Sequence, residues 1–290
     1  MAQQKYTIRD FDRDFPDDDA CLEWLKDYRW PEGITCKNCQ RVTKHHKITG
    51  RPAYACDFCG NHVYPMAGTI LEHSSTQLRL WFHAIFLVAS TRCGISAKQL
   101  QRETGVTYKT AWRMFKQIRS MLNEDVMNLL GEVEVDESYY GGRRRGKRGR
   151  GAAGKTIIMG VVERQGKVAT QVVSNVQANT LLPIVKEKVL PDSLVYTDEL
   201  PSYNQLSQMG YDHKRVHHGA KVYVMGNAHT NTIESFWSLT KRGIDGVHHA
   251  VSGKYLQDYI NAYSFRWNYR DDGTPMFVQF LHRIVPDVSA

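Results

Sequence analysis

Three carboxylates of this 290-residue chain stand where a sheet could gather them. Asp136 lies inside "EVEVDESYY", an alternating β-rich stretch, Asp198 ends the apolar run "SLVYTD", and Glu234 opens the amphipathic segment "NTIESFWSLTKRG". A charge beside an apolar strand is costly unless a metal or partner meets it. Acids brought to one sheet edge can grip divalent cations, because Mg²⁺ takes carboxylate oxygens, waters and substrate phosphate. Two such ions about 4 Å apart stabilise the attacking and departing oxygens of a phosphodiester substitution. No protein nucleophile is needed, since a water or a DNA 3′-hydroxyl attacks. Glu134, Glu137 and Glu199 are near enough in sequence to stand in for a neighbour, so each acid position stays open by a residue or two. Lys241 follows Glu234 by seven positions, which at about 100° per residue puts both on nearly one line of a helix. Ile233, Phe236, Trp237 and Leu239 fall on the adjoining side, suited to a core.

A second constellation is sulfur. Cys36-Lys37-Asn38-Cys39 and Cys56-Asp57-Phe58-Cys59 are two CxxC knuckles with sixteen residues between them. Each knuckle offers two thiolates from one tight turn, and two knuckles complete a tetrahedral site for one structural Zn²⁺. Iron would take similar ligands, and disulfides are disfavoured in a reducing compartment. Such a closed site stabilises a fold and leaves no open position for chemistry. Cys21 and Cys93 stand alone in apolar surroundings, as buried inert thiols do.

Charge points to an anionic partner. The net charge is +8 and the pI about 9.1. The stretch Gly141 to Lys155, "GGRRRGKRGRGAAGK", carries seven cations and no acid. Arg143, Arg144, Arg145, Lys147, Arg148, Arg150 and Lys155 thus hold nearly all the excess in one glycine-rich loop, a pattern for nucleic-acid phosphates. A hydrophobic content of 42% and a charged content of 23% exclude a disordered chain. The longest apolar runs are too short to cross a bilayer, and the acidic N-terminus has no secretory h-region. The expected location is the cytoplasm, or its nucleoid, with no membrane partner.

Around these residues the periodicity predicts a helical lead over 1–30, a zinc ribbon over 31–72 and a helix-turn-helix region over 73–125. In the last, Ser96 and Thr107 are placed to cap two helices and Gly105 to end the first. Ala97, Leu100, Val106, Ala111, Trp112 and Ile118 are the expected small core. Tyr108, Lys109, Arg113 and Lys116 then face outward toward phosphates or base edges. From 130 to 272 the texture becomes three meandering strands, helix, strand, helix ("LPSYNQLSQMG"), strand, and two closing helices. This is an α/β (α+β) pattern with a mixed five-stranded sheet of ribonuclease H type and flanking helices. Arg266 and Arg270, one helical turn apart in "FRWNYR", offer a further phosphate contact, and 273–290 reads as a C-terminal tail.

With these motifs assembled, the chain resembles the DDE transposases of bacterial insertion sequences, in the group with an N-terminal zinc ribbon. The resemblance rests on "VEVDESYYGGRRRGKRGRG", "VYTDELPSY" and "HTNTIESFWSLTKRGIDGVHHAVSGKYLQDYINAYSFRWNYR", with "RWPEGITCKNC", "YACDFCG" and "YKTAWRMFKQIR" in the front half. The thirty-five residues between Asp198 and Glu234 match the spacing common in such enzymes. The resemblance implies that Asp136, Asp198 and Glu234 hold two Mg²⁺ or Mn²⁺ ions, with Lys241 on a phosphate. Asn231 and His229 stay open as alternatives to Glu234. It further implies 3′-end cleavage of transposon DNA and strand transfer into a target, and joining two ends implies a dimer or larger assembly. Two other functions share these features: a catalytically inactive zinc-ribbon and helix-turn-helix regulator, and a nuclease of similar fold that cuts without joining.

Overall fold

The computed structural model describes residues 5–141, 154–216 and 229–285. Its contacts divide the chain into two units, Met1–Met121 with Asp271–Ala290, and Leu122–Arg270. Among the described residues no helix is long and apolar enough to cross a membrane.

The first unit begins with α1 (Ile8–Asp14), whose Thr7 and Asp10 close a reciprocal capping box, and α2 (Asp18–Arg29), capped by Asp17. Three short antiparallel strands follow in the order β1-β2-β3: β1 (His45–Lys47), β2 (Tyr54–Cys56) and β3 (His62–Val63). Then come α3 (Leu78–Ser90), α4 (Ala97–Thr104) and α5 (Tyr108–Ser120). The Ser96 and Thr107 hydroxyls accept from the Gln99 and Thr110 amides, and Gly105 ends α4 at φ 71°, a left-handed cap that costs glycine little. Leu100, Ala111 and Ile118 are buried as the spacing predicts. Ala97, Val106 and Trp112 are only half-buried, and Met114, Phe115 and Leu122 are buried in addition.

The stretch read from sequence as a tail contains a ninth helix, α9 (Met276–His282), which belongs to this first unit. Phe277, Phe280 and Leu281 fall at i, i+3 and i+4 and are buried. Phe277 meets Phe11, Phe15 and Phe86 edge-on, with ring centroids 5.6–6.0 Å apart. Three buried residues at helical spacing in so short a segment were the missed signal.

The second unit is built on a five-stranded sheet in the order β6-β5-β4-β7-β8. Its strands are β4 (Glu132–Tyr140), β5 (Thr156–Glu163), β6 (Val168–Val173), β7 (Leu194–Thr197) and β8 (Asp212–Arg215). The first three form an antiparallel meander, and β7 and β8 run parallel to β4. This mixed sheet, with helices on both faces, has the expected ribonuclease H-like order. One face packs on α6 (Ala178–Lys188), with Val133, Val135, Leu181 and Val185 in a common core. The other packs on α7 (Asn231–Gly243) and α8 (Gly253–Asn268) through Ile158, Ile233, Phe236, Trp237 and Ile260.

The helix expected over "LPSYNQLSQMG" is instead two 3₁₀ turns, Pro201–Tyr203 and Leu206–Met209, ended by Gly210 at φ 92°. Tyr203 ends the first turn and Leu206 opens the second, and these are the two residues this stretch buries completely.

Candidate active site

The parallel pairing of β4 with β7 sets Glu134 opposite Tyr196. Two residues further along each strand come Asp136 and Asp198, so the register carries both acids to neighbouring positions at one sheet edge, where strands lie about 4.8 Å apart. Glu134, Asp136 and Tyr140 share the β4 face that α7 covers, because side chains alternate along a strand. Glu137 belongs to the opposite face, where the Tyr203 hydroxyl donates to it. Asp136 is opposite Gly160 on β5, and that glycine decides how closely α7 approaches. A β-carbon there would stand 2.6 Å from the Trp237 ring and 2.8 Å from Ile233 Cδ1, inside contact distance for both. With only hydrogen present, the Trp237 indole lies over the strand and its Nε1–H donates to Asp136 Oδ2 at 3.1 Å.

Along α7, Glu234, Trp237 and Lys241 follow at i, i+3 and i+7, one face of the helix. They line a cavity of about 740 Å³ with Asp136, Arg242 and Asp245. Its far wall is a π-helical turn, Ile244–His248, which continues α7. Burial pushes the Asp136 carboxyl up to about 6, and the charges of Asp198 and Glu234 push the same way, against hydrogen bonds from the Glu137 amide and Trp237. The Asp198 carboxylate accepts from the Leu200 amide at 2.8 Å, and Glu234 accepts from the Thr230 hydroxyl at 3.0 Å.

The donor set is therefore all hard oxygen, mutually repelling, and wider than a closed cage. Among the described residues only the four cysteines keep their ligand atoms within 4.8 Å of one another. Such a set suits Mg²⁺ or Mn²⁺, which keep waters and share substrate oxygens. Lys241 and Arg242 are exposed at its rim, suited to an anion. Of the alternatives to Glu234, Asn231 is exposed at the start of α7. His229 turns inward, with Nδ1 3.2 Å from Arg164 Nη2 and 3.4 Å from Glu134 Oε1.

Cys36, Cys39, Cys56 and Cys59 converge, with Cys36 Sγ 3.5 Å from Cys59 Sγ and Cys39 Sγ 3.9 Å from Cys56 Sγ. These separations bracket the roughly 3.8 Å edge of a tetrahedron with zinc–sulfur bonds of about 2.3 Å. The two knuckles close alike. Gln40 at φ 56° donates its amide to the Cys36 carbonyl, and Gly60 at φ 70° does so to Cys56, both at 2.9 Å. Thr43 and backbone amides hold the Cys56 thiol down to about 6, which favours the thiolate that zinc takes.

Residues 128–268 match the ISXO2-like transposase domain family, and residues 16–62 match the transposase zinc-ribbon domain. A transposase-like protein of Haemophilus influenzae is 37% identical over 102 residues, which are 35% of this chain and 81% of that relative. Two successive parts of the chain are thus similar to transposase domains, a zinc ribbon followed by an ISXO2-like domain. A protein of transposable element ISH50 from Halobacterium salinarum is 29% identical over 261 residues, 83% of this chain and 88% of that protein. Among solved structures, a simian T-cell lymphotropic virus intasome and the Mos1 strand transfer complex match 68% and 67% of this chain and 70% and 78% of theirs. Both are 10% identical, with TM-scores of 0.31 and 0.23, too distant to carry an argument.

The other expected contact residues divide. Tyr108, Lys109 and Arg113 are exposed on α5, with Lys98 Nζ 4.5 Å from the Tyr108 ring centre, and Lys116 is half-buried. Arg266 and Arg270, read from sequence as phosphate contacts, turn back on the chain. Arg266 donates to the Ala262 carbonyl, and Arg270 donates to Gly166 and Trp267 and stacks on the Trp267 ring. Arg143, Arg144, Arg145, Lys147, Arg148 and Arg150 lie outside the described residues, and Lys155 is half-buried. Trp237 as a donor to Asp136 was not foreseen, because its spacing marks it equally well as core.

Proposed function

We propose that this transposase cleaves the 3′ ends of its transposon and transfers the freed strands to target DNA. The observation that carries the proposal is the β4–β7 register, which sets Asp198 beside Asp136, and Asp136 lines the cavity that holds Glu234 and Lys241. Asp136, Asp198 and Glu234 hold two Mg²⁺ or Mn²⁺ ions. When bound, these supply positive charge against the attacking and departing oxygens of the phosphodiester. Trp237 fixes the Asp136 carboxylate by its indole N–H, Thr230 fixes Glu234, and Lys241 holds a phosphate oxygen. Water is the first nucleophile, and the 3′-hydroxyl it releases is the second. Tyr108, Lys109, Arg113, Lys116 and the basic loop hold DNA phosphates, while one closed zinc site shapes the ribbon. Two ends joined together call for a dimer or larger assembly on DNA.

The test is cleavage of end-containing DNA by purified protein with Mg²⁺ or Mn²⁺. Asp136→Asn is expected to lose cleavage and strand transfer while still binding the ends, and unchanged cleavage would overturn the assignment. Cleavage without strand transfer by the native chain would instead identify a nuclease.

A further inference from the structure

Helix α7 carries Glu234, yet its first turn is not capped in the ordinary way. Thr230 stands at the N-cap position, with φ −117° and ψ 29° in place of an extended backbone, and its side chain makes no capping hydrogen bond. The amide an N-cap serves is that of the third helical residue, here Ile233. It donates instead to Glu134 Oε2 at 2.9 Å, across ninety-nine residues of chain. Glu134 is fully buried. Its other oxygen accepts from Arg164 Nε at 2.8 Å. Arg164 lies just past β5, also pairs with Glu132, donates to the His229 carbonyl at 2.7 Å, and stacks 4.1 Å from the Tyr196 ring centre on β7.

We infer that Glu134, paired with Arg164, is a positioning residue that caps α7 from the sheet and with the Thr230 hydroxyl orients Glu234. A buried carboxylate satisfied by a guanidinium and a helix-terminal amide is anchored on both sides. The Thr230 hydroxyl donates to Glu234 Oε1, while the amide of Ile233 is held from β4. The same strand, two residues on, carries Asp136, so one short stretch of β4 supplies an acid and fixes the helix that supplies another. The inference rests on Glu234 being a cation ligand.

The test is Mn²⁺ binding to the purified full-length protein, followed by electron paramagnetic resonance without DNA or turnover. Glu234→Gln serves as the reference. Glu134→Gln and Thr230→Val are each expected to weaken Mn²⁺ binding by roughly tenfold, the usual cost of losing a partner behind a metal ligand. Thr230→Ser is expected to restore it. A merely structural role would lower thermal stability without moving the Mn²⁺ affinity of the folded fraction. If Glu234→Gln weakens binding while Thr230→Val and a folded Glu134→Gln do not, the positioning role is wrong and the ligand assignment stands. If Glu234→Gln leaves binding unchanged, the ligand assignment itself fails. Should Glu134→Gln not fold, Thr230→Val decides alone.

Discussion

At Asp136 a single side chain joins stability to chemistry. Its carboxyl ordinarily titrates at 3.8 and here titrates at about 6, because burial and two neighbouring acids disfavour the charge. The folded state therefore holds this proton more tightly than the unfolded chain does. The stability linked to it is full at low pH and is lost as pH rises from about 4 to about 6. Asp136→Asn without divalent cations, well above pH 6, is thus expected to melt higher than the native chain, by on the order of 1 kcal/mol. Adding Mn²⁺ should raise the melting temperature of the native protein and not that of the variant. Protons and cations compete for the same oxygens, so Mn²⁺ affinity should fall below pH 6, by up to about tenfold per pH unit. A titration that is flat between pH values on either side of 6 would separate this carboxyl from the cation site.

The elements show which parts of this arrangement a sequence declares. Ser96, Gly105 and Thr107 announced their helices because capping is local chemistry, settled within three or four residues. Glu234 and Lys241 could be placed side by side because helical spacing alone decides it. Asp136 and Asp198 could be assigned to sheet strands, while the β4–β7 pairing that makes them neighbours joins distant parts of the chain. The contacts that aim these acids were not legible, since they join residues far apart in the chain: Trp237 to Asp136 across 101 positions, and Ile233 to Glu134 across 99. Periodicity carries no trace of such pairs. The carbonyls that Arg266 and Arg270 meet were likewise not legible, since that of Gly166 lies 104 positions from Arg270. Gly160 is where packing tolerance bears directly on the acids. Gly160→Ala should cost about 1–3 kcal/mol by overpacking against Trp237 and Ile233 and slow cleavage by displacing the indole from Asp136. Denaturation midpoints and single-turnover cleavage check both effects, and a variant that melts and cleaves like the native chain would show that the helix yields freely.

Over the whole molecule, each unit closes its own core. The residues of both sheet-face clusters lie between Leu129 and Tyr263, within the second unit. Replacing Cys36 and Cys39 by serine is therefore expected to release about one zinc per chain. A structural zinc contributes on the order of 10 kcal/mol to its domain, so the ribbon should unfold while the sheet of the second unit persists. Metal analysis and calorimetry check this; native protein without bound zinc would refute it. Truncation after Arg270 should have a similar selectivity, exposing Phe11 and Phe86 in the first unit and leaving the second folded. Limited proteolysis of the two halves measures the difference.

The position of α9 also sets an order of events at the ribosome. The sheet unit is synthesised without interruption and its residues are all available once Arg270 emerges. The front unit waits, with an uncovered aromatic patch, until Phe277 has also emerged and docks. A nascent chain thus acquires its sheet unit before its front unit is finished.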